Sequence, residues 1–195
     1  KIIVPFAPAG PTDIAARLIA TKMSETLKQQ FYIENQAGAG GNIGMGNAAK
    51  AAPDGYTILF VSSSYVVNPS LYDKIPYDPY KDFIPLTVTA TSANVLLVNP
   101  KVLPVNSPKE LAELIKANPG KYTFASAGTG TTPHLSGELF KLTFKLDTVH
   151  VPFGGAGPAI QSIVAGHTPL AFTSLPPAIP HIKSGTLRAL AVANK

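Results

Sequence analysis

The stretch Lys1-Ile2-Ile3-Val4-Pro5-Phe6-Ala7-Pro8-Ala9-Gly10-Pro11-Thr12-Asp13 decides how the rest of the chain is understood. Ile2, Ile3 and Val4 form the short apolar run of a buried strand. Pro5, Pro8, Gly10 and Pro11 then interrupt regular structure. Thr12 and Asp13 are helix-start residues, and Ile14, Ala15, Leu18, Ile19 and Met23 recur at helical spacing. The order is strand, tight loop, helix. Such a loop aims unpaired backbone N–H groups and the positive end of a helix dipole at one point. That point suits an anion. Residues 5–13 include no Cys, His, Lys or Arg, so their chemistry points to holding a molecule rather than cleaving it.

Working outward, strand-like and helix-like segments alternate along the chain. Residues 31–34 are a second strand, 38–42 a glycine-rich loop, and 43–52 a small-residue helix stopped by Pro53-Asp54-Gly55. Residues 56–61 form a third strand, apolar throughout and hence expected at a sheet centre. Residues 68–83, rich in Pro, Tyr and Asp, should hold at most a turn or two of helix, with the tyrosines from Tyr72 to Tyr80 pinning a long loop. Residues 84–90 and 94–98 are two more strands, and an irregular stretch begins at Asn99-Pro100. Helices are expected at 109–117, 133–142, 158–165 and 177–183, and strands at 122–126, 148–152, 170–172 and 187–193.

This alternation predicts an α/β protein with mostly parallel sheets flanked by helices. The break near residue 100 divides it into a first lobe, 1–98, a second lobe, 99–190, and a crossing back that starts at 191–195. In open sheets of this kind ligands bind beyond the carboxyl ends of the strands, and every Gly/Ser/Thr-rich loop of the chain falls at such an end.

Composition narrows the function classes. With 195 residues, 45% hydrophobic and 14% charged, the chain is globular and able to build real cores. The net charge of +5 comes mostly from single scattered lysines, without the basic run that marks a nucleic-acid surface; a mild bias toward anionic ligands is the remaining reading. With no cysteine, disulfides and thiolate metal sites are excluded. The four histidines, His134, His150, His167 and His181, lack metal-ligand spacing. Neither a metal nor a cofactor is expected. No apolar run reaches membrane-spanning length, and no signal peptide is visible; the opening on a core strand points to a processed or cropped amino terminus.

The loop Ser126-Ala127-Gly128-Thr129-Gly130-Thr131-Thr132-Pro133-His134 supports two readings. One is a polar cradle built from backbone N–H groups and the hydroxyls of Ser126, Thr129 and Thr132. The other is an ordinary strand-to-helix turn with Thr132 as cap. The loop has no Gly-Lys-Ser/Thr sequence, so it is not a nucleotide P-loop. Gly38, Gly40 and Gly44 miss the dinucleotide spacing, because Ile43 stands at the third position, and close backbone packing is their expected role. Asp13 is either a ligand for a substrate ammonium or a residue compensating the helix dipole.

Several segments, taken together in order, resemble one family. They are Val4-Pro5-Phe6-Ala7 with Gly10-Pro11-Thr12-Asp13, Glu34-Asn35-Gln36-Ala37-Gly38-Ala39-Gly40-Gly41-Asn42-Ile43-Gly44, and Ala52-Pro53-Asp54-Gly55-Tyr56-Thr57. Asn68-Pro69-Ser70-Leu71-Tyr72 and Pro76-Tyr77-Asp78 with Lys81-Asp82-Phe83 follow. Pro133-His134-Leu135-Ser136-Gly137-Glu138-Leu139-Phe140, His150-Val151-Pro152-Phe153 and Leu187-Arg188-Ala189-Leu190-Ala191-Val192 complete the series. The chain resembles the substrate-binding proteins of tripartite tricarboxylate transporters, the Bug-type periplasmic receptors.

The resemblance implies a periplasmic-binding-protein-like clamshell that holds a small organic acid between two lobes and delivers it to the permease subunits of a tripartite membrane transporter. It implies a periplasmic location and a non-enzymatic role, and a monomer is expected. Carried over by position, the first-lobe contacts are Phe6, Ala7, Gly10, Pro11, Thr12 and Asp13, with Ser62, Ser63 and Ser64. The second-lobe contacts are Gly128, Thr129, Gly130, Thr131, Thr132 and His134, then Phe153, Gly154, Gly155 and Thr173. Closure is expected about the segments near Asn99 and Ala193. Members of the family continue past the strand at 187–193 to complete the first lobe, so the resemblance also implies a truncated chain. Two rival readings stand beside this one. The first is an enzyme using His134 and a nearby hydroxyl, for which no nucleophile–base–orienter set is visible. The second is a ligand sensor signalling to a membrane receptor.

Overall fold

The computed structural model describes residues 1–193. The opening strand β1 (Ile2–Val4) is buried along its whole length and lies between β2 (Ile33–Asn35) and β3 (Ile58–Leu59) in a parallel three-stranded sheet. Ile2, Val4 and Phe6 pack on Ala16 and Ala20 of α1 (Pro11–Leu27). That helix starts with proline at its first position, where no backbone donor is lost. α2 (Asn42–Ala49) follows a single 3₁₀ turn, Ala39–Gly41. The third strand is therefore an edge of the described sheet rather than its centre. Its side chains are half-buried, because hydrophobicity along a run does not state how many neighbours the strand will find.

α3 (Ser64–Leu71) extends only its last turn into residues 68–83, within the turn or two of helix expected there. Pro69 inside it supplies no N–H to the Tyr65 carbonyl four residues back. That carbonyl instead accepts the Tyr77 hydroxyl at 3.0 Å. Tyr65 stacks on Tyr77 with ring centroids 5.6 Å apart, and Phe83 meets both edge-on. These contacts pin the long loop, as the tyrosine-rich sequence suggests.

The second sheet has five strands in the order β6-β5-β7-β4-β8: β4 (Asn94–Val98), β5 (Thr123–Ser126), β6 (Val149–Pro152), β7 (Leu170–Ser174) and β8 (Arg188–Ala193). Neighbours are parallel except around β4, which is antiparallel to both β7 and β8. Period-two alternation divides its side chains between two cores. Leu96, Val98, Phe124, Leu170 and Phe172 join Leu111 and Ile115 of α4 (Pro108–Lys116), with Phe140 of α5 (Thr132–Phe144) packed against them. Val95, Leu97, Ala125 and Ala171 join Ala159, Ile160 and Ile163 of α6 (Ala156–Val164) and Ala178 of α7 (Leu175–Lys183) on the other face.

Three expectations are corrected here. Residues 94–98, grouped by the sequence with the first lobe, form all their ladder bonds inside the second sheet, so the chain passes between lobes before Asn94. Asn99, expected near a closure segment, lies inside the second lobe: its side chain is buried and donates to the Ile163 carbonyl. Ala191, Val192 and Ala193, assigned to a return crossing, still pair with Leu96, Val95 and Asn94; Asn194 and Lys195 of that crossing lie outside the described residues. In addition, residues 84–90 adopt no regular structure, and Ile84, Leu86 and Val88 are 77–88% exposed. Their alternating pattern suits a strand, but β propensity is realised only against a neighbour. None lies alongside them among the described residues.

Candidate functional site

The loops that leave β1, β2, β5 and β6 meet where the two lobes face each other. The Ala7 N–H donates to the Gly154 carbonyl at 2.8 Å, a backbone bond between lobes. A Cβ on Gly40 would lie 2.2 Å from the Thr129 carbonyl oxygen, and one on Gly130 would lie 2.1 Å from Asn68 Oδ1. Contacts this close require the absence of a side chain at both positions. Asn68 is completely buried on α3; its Nδ2 donates to the Gly40 carbonyl (3.1 Å) and to Asn42 Oδ1 (2.8 Å), which holds the glycine loop in place.

Between these loops is a cavity of about 250 Å³. Phe6, Gly38, Ala39, Gly40, Gly41 and Tyr72 line it from the first lobe, and Ala127, Gly128, Thr129, Pro152, Phe153 and Gly154 from the second. Its wall lies at or just before the starts of α2, α5 and α6, where backbone N–H groups and helix dipoles favour negative charge. No charged side chain lines it. A larger open groove of about 760 Å³ belongs wholly to the second lobe, along β5, β6 and α6. It shares only Phe153 with the converging loops, so the interlobe cavity is the candidate site.

Residues 15–195 match the family described as tripartite tricarboxylate transporter family receptor. The chain belongs to this receptor family. BugT of Bordetella pertussis is 40% identical over 194 residues, covering 98% of this chain and 59% of that protein. A Rhodopseudomonas palustris structure with adipate superposes with a TM-score of 0.94 at 36% identity, covering 99% of this chain and 64% of that one. MatC of the same organism, with bound malate, has a TM-score of 0.90 at 33% identity, covering 100% and 66%. The receptor chain thus spans under two thirds of the length of these proteins.

Of the residues carried over from sequence to the receptor's site, Phe6, Gly128, Thr129, Phe153 and Gly154 line the cavity. Ala7 and Gly155 meet at its edge, where a Cβ on Gly155 would lie 3.1 Å from the Ala7 nitrogen. Gly10, Pro11 and Thr12 begin α1 outside the cavity. Ser62, Ser63 and Ser64 form the start of α3, with Ser62 and Ser64 hydroxyls 3.2 Å apart, and none of them lines the cavity. Thr131, not Thr132, caps α5: its Oγ1 accepts from the His134 N–H and donates to the Gly128 carbonyl. Thr132 reaches Asn94 instead. Gly130 donates its N–H to His134 Nδ1 at 3.2 Å. Thr173 is buried on β7 with its hydroxyl unpartnered.

Asp13 does more than compensate a dipole. Its Oδ2 accepts from the Ala9 N–H (3.0 Å) and Arg17 Nε (2.9 Å), and its Oδ1 accepts from Asn35 Nδ2 (2.9 Å). The Ala9 bond holds that residue in a left-handed conformation with φ of 63°. Burial alone would raise the Asp13 pKa. The hydrogen bonds from Arg17, Asn35 and Ala9, with the charge of Arg17, outweigh it and hold the carboxyl below its ordinary value. Its contribution to stability is present above the unfolded carboxylate value and is lost as pH falls through the folded one.

Gly38, Ala39, Gly40, Gly41 and Tyr72 line the cavity although the sequence suggested only packing for the glycines and loop-pinning for the tyrosine. The rule that loops at strand carboxyl ends form sites covers the glycine loop after β2 as well. The sequence offers no such signal for Asn68 or His150, whose neighbours are distant in the chain. His150 Nε2 lies 2.7 Å from Ser126 Oγ, its ring stacks on Phe124, and its centroid is 4.3 Å from that of His134. Ser126 is completely buried and its oxygen also accepts the Gly128 N–H. This hydroxyl–imidazole pair therefore braces the cradle loop from behind instead of facing the cavity.

Burial, together with the neighbouring His134, lowers the His150 pKa to about 4. Burial lowers that of His134 too, with Glu138 opposing and Lys141 assisting. An unfolded histidine titrates near 6.5. Between these values only the unfolded chain carries the proton, so stability is complete above about pH 6.5 and declines as pH falls toward about 4. The His150 contribution to that decline is about 3 kcal/mol. Urea unfolding measured from pH 7.5 to 4.5 is expected to show this loss, and His150→Gln to flatten it. A wild-type midpoint that stays constant over that range would contradict the assignment.

Proposed function

We propose that this chain is the ligand-holding part of an extracytoplasmic solute receptor, which traps a small organic carboxylate between its lobes in the periplasm and passes it to the permease of a tripartite membrane transporter. The observation that carries the reading is the interlobe cavity, walled by glycine loops at three helix starts and free of charged side chains. Family membership supports it, as do similar proteins solved with adipate and with malate. The anion would be held by backbone N–H groups and the Tyr72 hydroxyl, with Phe6 and Phe153 against its carbon chain. Closure would turn on the segment before Asn94. The role is binding without turnover and without a cofactor, by a monomer. Closed and open forms present different surfaces to the membrane partner, so the ligand shifts a population by contacts available only when closed.

The test is a thermal-shift titration of the full-length protein with aliphatic and aromatic mono- and dicarboxylates. A ligand that binds only the folded state raises the melting temperature with concentration, by about 2.7 kcal/mol of stability at a hundredfold excess over Kd. A saturable shift with one carboxylate class is expected. A folded protein that no acid stabilises would overturn the proposal.

A further inference from the structure

Asp13, Arg17 and Asn35 clamp both ends of the loop that leaves β1. Asn35 Nδ2 donates to the Phe6 carbonyl (3.0 Å) and to Asp13 Oδ1 (2.9 Å). Arg17 ties the pair together, from Nε to Asp13 Oδ2 (2.9 Å) and from Nη2 to Asn35 Oδ1 (3.1 Å). At the other end the Ala9 N–H donates to Asp13 Oδ2 (3.0 Å). The residues between these clamps meet the second lobe. The Ala7 N–H donates to the Gly154 carbonyl (2.8 Å), and a Cβ on Gly157 of α6 would lie 3.2 Å from the Pro8 carbonyl oxygen. Ala9 holds its left-handed φ of 63° in the middle of this contact, a conformation that a residue with a Cβ disfavours. Lys28 and Lys145 share it as C-caps of α1 and α5, where it is ordinary; Ala9 ends no helix. None of Asp13, Arg17 and Asn35 lines the cavity.

We infer that Asp13 is a positioning residue for ligand capture: it holds Ala9 in the conformation that sets residues 6–9 against the start of α6, and so governs affinity without touching the ligand. The inference rests on the carboxylate-receptor reading and deepens it. All three partners of Asp13 are donors, from Ala9, Arg17 and Asn35, and an ionised carboxylate is acceptor-only. An amide of the same shape would turn an NH₂ toward one of these donors. Asp13 is 2% exposed, so water does not replace a bond lost there, and a buried group without its partner is unfavourable. Released from Asp13, Ala9 relaxes to negative φ. The chain direction at Pro8 and Ala7 then changes, and with it the bond to Gly154 and the fit against Gly157. Phe6, which lines the cavity, is at the other end of the same loop. Apparent affinity falls with the fraction of molecules able to close.

Isothermal titration of the full-length protein at pH 7.5 tests this, with the tightest-binding acid of the thermal-shift series as probe. Asp13→Asn is expected to bind about tenfold more weakly or worse, the order of the left-handed penalty that Ala9 no longer has a bond to offset. Glycine adopts positive φ as readily as negative, so adding Ala9→Gly to Asp13→Asn should bring affinity back to within about threefold of wild type. Ala9→Val reads the same contact without altering the cluster. Residue 9 is exposed, so this variant should fold, and its β-branched side chain should also weaken binding about tenfold or more. Asp13→Asn that melts lower but binds as wild type would overturn the inference and leave Asp13 a stabilising residue alone. A loss that Ala9→Gly does not relieve would also overturn it, since a residue touching the ligand would behave in that way. So would wild-type affinity in Ala9→Val, whether or not Asp13→Asn folds. Each of these leaves the carboxylate reading intact; a wild-type protein that binds no acid of the series would overturn both.

Discussion

Gly40→Val is expected to lower carboxylate affinity about a hundredfold or more while leaving both sheets folded. Gly40 has φ of +63°, and a Cβ there would lie 2.2 Å from the Thr129 carbonyl and 3.0 Å from the Tyr72 hydroxyl. The first of these obstacles is backbone of the opposite lobe. It cannot rotate away as a side-chain end can, so relief requires the lobes to separate. Separation removes the second-lobe wall of the cavity, and apparent affinity falls with the fraction of molecules that can close. A factor of a hundred corresponds to about 2.7 kcal/mol, and a left-handed β-branched residue costs a further 1–2 kcal/mol or so locally. Gly55→Val separates the two effects. Gly55 has φ of +80° but open space around its would-be Cβ, so that variant carries the backbone strain without the collision and should bind normally. Titration calorimetry gives the affinities, and small-angle scattering should show a larger radius of gyration for Gly40→Val with ligand present. Affinity within about threefold of wild type, under 1 kcal/mol, would show that the lobes close without this contact.

Gly137→Leu should produce the largest loss of stability. A Cβ at Gly137 on α5 would lie 2.3 Å from Phe124 Cε2 and 2.8 Å from its Cζ. Phe124 has nowhere to go: it is 1% exposed, stacked on His150 at 4.9 Å and edge-to-face with Phe172 at 5.9 Å. Inserting methylenes into so tight a contact costs about 1–3 kcal/mol, and leucine should reach the upper end. In a chain of this size that is a melting temperature lower by about 6–12 °C, with Gly137→Ala intermediate. The effect should reach the site, because α5 carries Thr131 and His134 at its start and rides on Phe124. An unchanged melting temperature would mean that α5 shifts off the sheet at no cost.

The alternation of strands and helices was legible because each segment carries its own periodicity and its own stop signals. Pro11 at the first position of α1, Pro108 after the cap Ser107, and Gly166 after α6 are local devices that act within one turn. The strand-end loops were legible for the same reason, whereas Phe6, Gly128, Thr129, Phe153 and Gly154, which line the cavity, were carried over by the family resemblance. The ordered series of segments from Val4 to Val192 was specific enough to indicate the family. By contrast, residues 84–90 have a strand's alternation and no neighbour to pair with, and residues 94–98 look the same in either sheet. Position in a sheet is a property of the pairing, not of the run.

Apart from residues 84–90, the sequence by itself determined which segments become helix or strand, that their loops gather glycines and hydroxyls at strand ends, and that no metal or thiol chemistry was to be built on cysteine. Only the tertiary structure decided that β4 crosses into the second sheet and that Asn68, 28 residues from Gly40, holds the glycine loop against Gly130. It also decided that Asp13 is spent on Ala9, Arg17 and Asn35 rather than offered to a ligand. Periodicity and capping depend on residues a few positions apart, which a linear reading can see. Acceptor occupancy and glycine-to-carbonyl contact depend on which distant surfaces meet, and that is settled when the lobes pack.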